Sequence, residues 1–163
     1  MFQGLLSLIC YVPLAGALAI LFFPKEAKRG IAYFAAAVAA LDFVLSLPLF
    51  LQWDVSLPGF DQATLERFSW IPSIGAQYIF GVDGISMLFV LLTTLLGVIA
   101  VISSFAAITD RVKEYYVFLL LLQTGMLGVF MALDLFLFYV FWEVMLVPMY
   151  FLIGIWGGGN KLY

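Results

Sequence analysis

The chain has 163 residues, of which 66% are hydrophobic and only 10% are charged, whereas a soluble domain carries about 25% charged residues. This composition excludes an ordinary soluble domain and indicates a polytopic membrane protein, in which the positions of charges matter more than the formal net charge of −3. The chain has no histidine and one cysteine, Cys10, so it offers no intrachain disulfide and no common ligand set for haem, an iron–sulfur cluster or zinc.

Five long apolar runs predict an all-α membrane protein with five transmembrane helices in a single domain, 1–163. The first run is followed, and not preceded, by basic residues, so we interpret it as a retained helix and not as a cleavable signal peptide. The predicted helices cover approximately residues 4–23, 30–51, 85–108, 115–133 and 134–156.

The longest connection, 52–84, follows the second helix and carries several acidic residues. Its second half mixes Trp70 and Tyr78 with turn-forming residues, which is typical of a segment at the membrane interface. At its end, Asp83 stands where the third helix begins and is predicted to cap that helix.

The basic residues sort onto one side of the predicted topology. One side receives six of the seven Lys and Arg residues, and the other receives only Arg67 together with Asp54, Asp61, Glu66 and Asp83. The positive-inside rule therefore predicts an N-terminus outside, a C-terminus inside and the 52–84 loop on the outer side. The six are Lys25, Lys28, Arg29, Arg111, Lys113 and Lys161.

Glu143 is the leading candidate for chemistry, because it lies near the middle of the fifth predicted helix. A carboxylate at that depth costs about 3 kcal/mol by insertion scales, and intramembrane acids usually mark ion paths. No Lys or Arg shares its helix face, so a cationic partner must come from another helix. We interpret Glu143 as a proton-translocating group. The alternative is a structural carboxylate that fixes helix packing.

Three further sets of residues accompany Glu143. Pro148 removes a helical hydrogen bond and predicts a bend just after Glu143, although membrane helices also tolerate simple proline kinks. Asp42 lies deep in the second helix, where it is either a second relay site or a structural or partner-facing residue. Gln123 and Thr124 either extend a polar path or join helices by hydrogen bonds. All basic residues lie in loops, so a path of alternating acids and bases needs a lysine from elsewhere.

Three segments resemble a known family in order and spacing. They are Phe141–Tyr150 (FWEVMLVPMY), Gly81–Met87 (GVDGISM) and Ile155–Gly158 (IWGG). They resemble the antiporter-like subunit M (chain 4) of respiratory complex I, NADH:quinone oxidoreductase, and the resemblance extends over the whole chain as the N-terminal third of that subunit.

The resemblance implies the start of a fourteen-helix antiporter-like fold in a bacterial inner membrane, with the chain ending before the later helices. In the family a Glu on the fifth helix, matching Glu143, pairs with a Lys on a later broken helix. The implied role is that of a non-redox, proton-translocating subunit. NADH, FMN, iron–sulfur clusters and quinone are expected in partner subunits, with neighbouring antiporter-like subunits as partners and no cofactor or metal in this chain.

Other functions remain open at the sequence level. The chain is alternatively a subunit of a multi-subunit sodium/proton antiporter or of a membrane-bound hydrogenase-type complex. It is also conceivable as an assembly or anchoring protein in which Glu143 only fixes helix packing.

Overall fold

A computed structural model describes residues 4–51 and 65–157. The predicted five helices are present, in a bundle with one small hairpin between the second and third. Four of the helices are long and apolar enough to cross a membrane, while the first is apolar but shorter. The helices are α1 (Leu5–Ile20), α2 (Lys28–Leu51), α3 (Gly84–Ala107), α4 (Val112–Met131) and α5 (Leu135–Trp156).

Aspartates set the starts of α3 and α5. Asp83 Oδ1 accepts hydrogen bonds from the backbone N–H groups of Ile85 and Ser86, and the Ser86 hydroxyl bonds back to the Asp83 N–H. This reciprocal capping box satisfies N–H groups that a helix start leaves unpaired. The predicted cap at Asp83 is therefore confirmed, and Asp134 performs the same task for α5.

The β-hairpin between α2 and α3 was not predicted from the sequence. Strands β1 (Glu66–Ile71) and β2 (Ala76–Phe80) pair antiparallel across a turn that contains a short 3-10 segment, Pro72–Ile74. Gly75 adopts a φ of 71° there, a conformation that suits glycine because it has no Cβ. The aromatic, turn-rich composition, which predicts a segment at the membrane interface, also suits a strand pair. Asp54 and Asp61 lie outside the described residues.

The hairpin is fastened to the α4–α5 connection. Leu133 donates its backbone N–H to the Ile79 carbonyl at 2.9 Å, and Gly81 donates to the Met131 carbonyl at 3.0 Å. Asp134 also accepts a hydrogen bond from the Gln77 backbone N–H. The 65–83 segment, the 132–134 connection and the start of α1 thus meet at one end of the bundle, which we call the hairpin face.

The opposite end, which we call the basic face, joins the 21–27 turn, the 108–111 turn and the end of α5. Lys113 Nζ donates to the Leu21 and Phe23 carbonyls at 2.8 Å each, and Lys28 Nζ donates to the Thr109 carbonyl at 2.8 Å. The predicted alternation of the connections between two faces is confirmed for the described residues. Lys161 lies outside them, and the orientation of the two faces relative to the cell stays a prediction.

Glycines on α4 allow α5 to approach closely. A Cβ at Gly125 would lie 2.9 Å from the backbone Cα of Met145, and a Cβ at Gly128 would overlap the ring of Phe141. Small residues permit such contacts in membranes, where apolar surfaces gain no hydrophobic advantage by leaving lipid. These glycines therefore fix which face of α5 turns toward the bundle.

Candidate functional site

Glu143 lies on the uncovered face of α5. The buried residues of this helix are Leu137, Phe141 and Pro148, and Glu143 follows Phe141 by two positions, which is a rotation of about 200° around a helix. Its side chain is exposed in this chain. The described helices therefore leave the carboxyl accessible from the side of the bundle.

The surroundings of Glu143 on that face are apolar and aromatic. Tyr139, Trp142 and Val147 are exposed to 58%, 43% and 53%. Within residues 4–51 and 65–157, the one ion pair found joins Lys25 and Glu114 on the basic face. Within these residues Glu143 forms no ion pair.

Pro148 lies on the face of α5 opposite Glu143. Its ring is buried together with Leu137 and Phe141, and α5 continues through it from Leu135 to Trp156. Since proline has no backbone N–H, the Val144 carbonyl one turn earlier loses its helical donor. The predicted bend and a role of that carbonyl in proton transfer stay predictions.

Asp42 is enclosed by the helices of this chain. It is 0% exposed, and its Oδ2 accepts a hydrogen bond of 2.7 Å from Nε2 of Gln123 on α4. Asp42 Oδ1 has no hydrogen-bond partner among the described residues. The partner-facing interpretation of Asp42 therefore does not fit, because the side chain points into the bundle.

Two buried hydroxyls lie one turn from Asp42. Ser46 shares the same face of α2, four residues on, and its Oγ lies 2.9 Å from Thr94 Oγ1 on α3. Both side chains are 0% exposed. Thr124, next to Gln123, donates instead to the Leu120 carbonyl at 3.1 Å. Gln123 thus joins two helices as predicted, whereas Thr124 bonds within its own helix.

Gly97 makes room for Gln123, and sequence reasoning missed it. A Cβ at this position would lie 2.8 Å from Gln123 Cδ, so any larger residue on α3 would displace the amide. The hydroxyl at Ser46 was also missed, although its spacing of four residues from Asp42 was a readable signal. The role of Gly97 and the contact between Gln123 and Asp42, which are 81 residues apart, cannot be deduced from the residue pattern of a single helix.

The two acids, Glu143 and Asp42, lie at similar depths along their helices. At a rise of about 1.5 Å per residue, Glu143 lies about 12 Å from the hairpin-face end of α5, and Asp42 about 14 Å from the corresponding end of α2. Gln123 lies about 12 Å from the same end of α4. Glu143, Asp42 and Gln123 therefore lie in one layer of the bundle.

Glu66 on the hairpin face caps α1 from a distant part of the chain. Gly4 at the start of α1 has no side chain, and Glu66 Oε1 accepts the Leu6 backbone N–H at 2.8 Å. Its other oxygen accepts the backbone N–H of Ser7 at 3.2 Å and the Ser7 hydroxyl. A carboxylate at a helix N-terminus also interacts favourably with the helix dipole. The side chain is 7% exposed, so the contact is largely shielded from solvent.

The aspartate caps on the hairpin face are held ionised by their hydrogen bonds. The Ser86 N–H donates to Asp83 and is the main cause that lowers the pKa of Asp83 below its ordinary value of 3.8. For Asp134 the N–H groups of Leu137, Gln77 and Phe136 lower the pKa in the same way. Hydrogen bonds to the charged form stabilise that form.

No group of three or more His, Cys, Asp or Glu residues that could hold a metal ion occurs within 4–51 and 65–157. Cys10 is buried and lies 3.8 Å from the Thr124 carbonyl. The described chemistry is therefore that of two intramembrane carboxyl groups and their hydrogen-bond partners.

The chain is similar to known proteins over nearly its whole length. No protein-family model matches the chain. NADH-quinone oxidoreductase subunit M of Rhodobacter capsulatus is 42% identical over 165 residues, which cover 99% of this chain and 31% of the relative. Subunit M of Rickettsia conorii is 37% identical over 164 residues, which cover 98% of this chain and 33% of the relative. The chain thus spans about a third of the length of these curated relatives.

Solved structures agree with the sequence comparison. A chain of respiratory complex I from Thermus thermophilus superposes with a TM-score of 0.76 and 27% identity, covering 96% of this chain and 30% of that one. A chain of an archaeal membrane-bound sulfane sulfur reductase has a TM-score of 0.75 at 19% identity, covering 91% of this chain and 23% of that one. At that identity the second similarity concerns the fold alone.

The bacterial relatives and the apolar helices identify an integral, multi-pass protein of the bacterial inner membrane. Nearly the whole length of the chain aligns with these relatives at a level of identity that reflects common ancestry. Over 98–99% of its length, the chain is similar to about one third of subunit M of NADH-quinone oxidoreductase.

Proposed function

We propose that this chain belongs to a proton-translocating membrane-arm subunit of NADH:quinone oxidoreductase, in which Glu143 carries the proton. The observation that supports the proposal most is the position of Glu143, at mid-depth on the uncovered face of α5. An ionisable group there is costly in lipid. It is stable only where further helices or a neighbouring subunit cover it with a cation or a hydrated path.

The mechanism requires a partner that changes its distance from Glu143. Burial favours the neutral acid, and a nearby cation favours the carboxylate. When a lysine approaches, the Glu143 carboxyl would therefore release its proton. When the lysine retreats, the carboxyl would take up a proton again. We place that lysine on a helix that follows this chain in the complete subunit.

The rest of the complex supplies the redox chemistry in this proposal. NADH, FMN, iron–sulfur clusters and quinone are bound by partner subunits, and this chain contributes no redox centre. Its partners are neighbouring antiporter-like subunits and the remaining helices of the same subunit. We further propose that the basic face lies inside the cell, since six of the seven basic residues lie on that side of the predicted topology.

The decisive experiment measures NADH-driven proton uptake by inverted membrane vesicles that contain the assembled complex. Glu143→Gln is nearly isosteric, so we expect unchanged assembly and a loss of proton uptake of about 100-fold or more, the lower end of the range found when a proton-transfer group is removed. Tyr33→Phe is the control, because Tyr33 is an exposed tyrosine on a different helix, α2, where it packs against Phe105, and loss of its hydroxyl should leave uptake intact.

Normal proton uptake by an assembled Glu143→Gln complex would refute the role of Glu143. A native gel of mildly solubilised membranes tests the assignment to the complex separately. We expect the chain in a band that oxidises NADH. A band without that activity, combined with sodium-dependent exchange, would instead indicate a sodium/proton antiporter, and a hydrogenase-type band would indicate the related hydrogenase-type complexes.

A further inference from the structure

The Asp42 site is complete within this chain. The carboxyl lies between α2, α3 and α4, it is 0% exposed, and Gln123 Nε2 donates to its Oδ2. Its Oδ1 has no partner among the described residues. A fully buried carboxylate with one oxygen unpaired is costly, and protonation of the carboxyl group removes the cost of burying its charge.

No cation on the neighbouring helices compensates Asp42. Helix α3 contains no ionisable side chain, and α1 brings only Cys10 and Tyr11. The nearest ionisable groups along α2 and α4 are Tyr33 and Tyr116, nine residues from Asp42 and seven from Gln123, which is about 14 Å and 10 Å along the helices. Lys113 is engaged by carbonyls on the basic face. Among the described residues, the Gln123 amide is therefore the one hydrogen-bond donor to the Asp42 side chain.

Two opposing effects make both protonation states of Asp42 accessible. Enclosure between three helices favours the neutral acid, while donation from Gln123 Nε2 favours the carboxylate. An amide group can serve either state, because it carries a donor on one side and an acceptor on the other. With its amide turned over, Gln123 would accept the hydrogen bond of a protonated Asp42 through Oε1.

Gly97 provides the space that this amide rotation needs. The Gln123 amide lies against the bare Cα of Gly97, where a Cβ would stand 2.8 Å from Cδ. A side chain at this position would displace the amide from Asp42. Gly97 on α3 thus allows the amide of Gln123 on α4 to change its orientation with the charge on Asp42 of α2.

We propose that Asp42 and Gln123 form a second proton-binding site, enclosed by α2, α3 and α4, in which rotation of the Gln123 amide accompanies proton uptake and release. The carboxylate takes a proton from the aqueous phase to become the acid, and it returns that proton when the acid ionises again. The site uses only residues of this chain and is independent of the role proposed for Glu143.

The hydroxyl pair Ser46–Thr94 lies on the side of the Asp42 site that faces the hairpin. It lies one turn beyond Asp42 toward the hairpin face, with 2.9 Å between the two oxygens. Ser46 Oγ also donates to the Phe43 carbonyl and Thr94 Oγ1 to the Leu91 carbonyl, so these hydroxyls would have to turn from those carbonyls to pass a proton between Asp42 and that face. Helix α2 ends five residues after Ser46, about 8 Å further on.

Infrared difference spectroscopy on the purified intact complex tests the proposal. We expect the wild type to show a protonated-carboxyl band at neutral pH that is lost as the pH is raised. Asp42→Asn should remove this band, and Gly97→Ala should shift its frequency because the amide is displaced. Asp110→Asn, at an exposed position on the basic face, is the matched control and should leave the band unchanged.

Identical spectra of the wild type and Asp42→Asn would overturn the proposal. A band that persists at every pH at which the complex stays assembled would also overturn it, because Asp42 would then be a permanently neutral structural group. A response to sodium in place of potassium at constant pH would indicate a metal cation site instead. If Asp42→Asn fails to assemble, the proposal is tested by the pH titration of the band in the wild type and by the shift of its frequency in Gly97→Ala. The band should persist in Glu143→Gln, which separates this site from the role proposed for Glu143.

Discussion

Asp42 and Glu143 lie at similar depth but in opposite environments. Asp42 is enclosed by three helices of this chain and hydrogen-bonded to Gln123, whereas Glu143 projects from the uncovered face of α5. The first site is therefore stabilised by residues of this chain, whereas the described residues leave the carboxyl of the second uncovered. Two acids that look alike in a hydropathy profile differ because glycines position them: Gly97 admits Gln123 to Asp42, and Gly125 turns α5 so that Glu143 points away.

The largest effect is expected from a substitution that moves α5. Gly125→Leu places side-chain atoms against the Met145 backbone, where even a Cβ would be 2.9 Å from Cα. We expect the chain to lose about 3 kcal/mol or more of stability, measured by denaturant unfolding in detergent. Gly154→Ala on α5 is the control, because a Cβ there meets nothing within 4 Å. Equal stability of Gly125→Leu and wild type would mean that the glycine does not position α5.

The next effect compares the two acids directly. Asp42→Leu leaves the buried Gln123 amide without its acceptor, and we expect a loss of about 1–3 kcal/mol. Glu143→Leu alters an exposed side chain and should change the stability of this chain by about 0.5 kcal/mol or less. Unfolding of both variants in the same detergent checks the contrast. A larger loss for Glu143→Leu would reverse the assignment of which acid belongs to the bundle of this chain.

A smaller effect is expected at the hairpin face. Glu66→Ala removes the acceptor of the Leu6 and Ser7 N–H groups at the start of α1, and we expect a loss of about 1–2 kcal/mol. Arg67→Ala, at the neighbouring exposed position, is the control. Hydrogen exchange of the first turn of α1 should accelerate in Glu66→Ala alone, and unchanged exchange would contradict the capping role.

The smallest effect is the pH dependence of the aspartate caps. The pKa of Asp83 is lowered in the native state, chiefly by the Ser86 N–H. Its contribution is therefore complete above the ordinary pKa of 3.8 and is lost as the pH falls through the native-state pKa. Asp83→Ala should cost about 1 kcal/mol at neutral pH, and the difference from wild type should shrink in acid. A difference that stays constant with pH would exclude a charge effect.

The sequence predicted those features that depend on local patterns. Five apolar runs predicted five helices, and Asp83 beside Ser86 predicted a helix cap, because each depends on neighbours a few residues apart. The Gln123–Asp42 bond spans 81 residues and the Glu66–Leu6 bond spans 60. Such contacts depend on which helices pack together, and the periodicity of residues within one helix does not determine that. The exposure of Glu143 likewise depends on the packing of α5 against the glycines of α4, Gly125 and Gly128.

The capping of α1 by Glu66 implies an order of events during biosynthesis. The Leu6 and Ser7 N–H groups are made 60 and 59 residues before the carboxylate that accepts them. At synthesis rates of about 5–20 residues per second, α1 therefore waits about 3–12 s for its cap. The hairpin gains its own anchor only when the Met131 and Leu133 backbone groups emerge. The start of α1 is thus capped only after Glu66 has been made, and the hairpin that carries Glu66 is itself anchored only after the α4–α5 connection has been made.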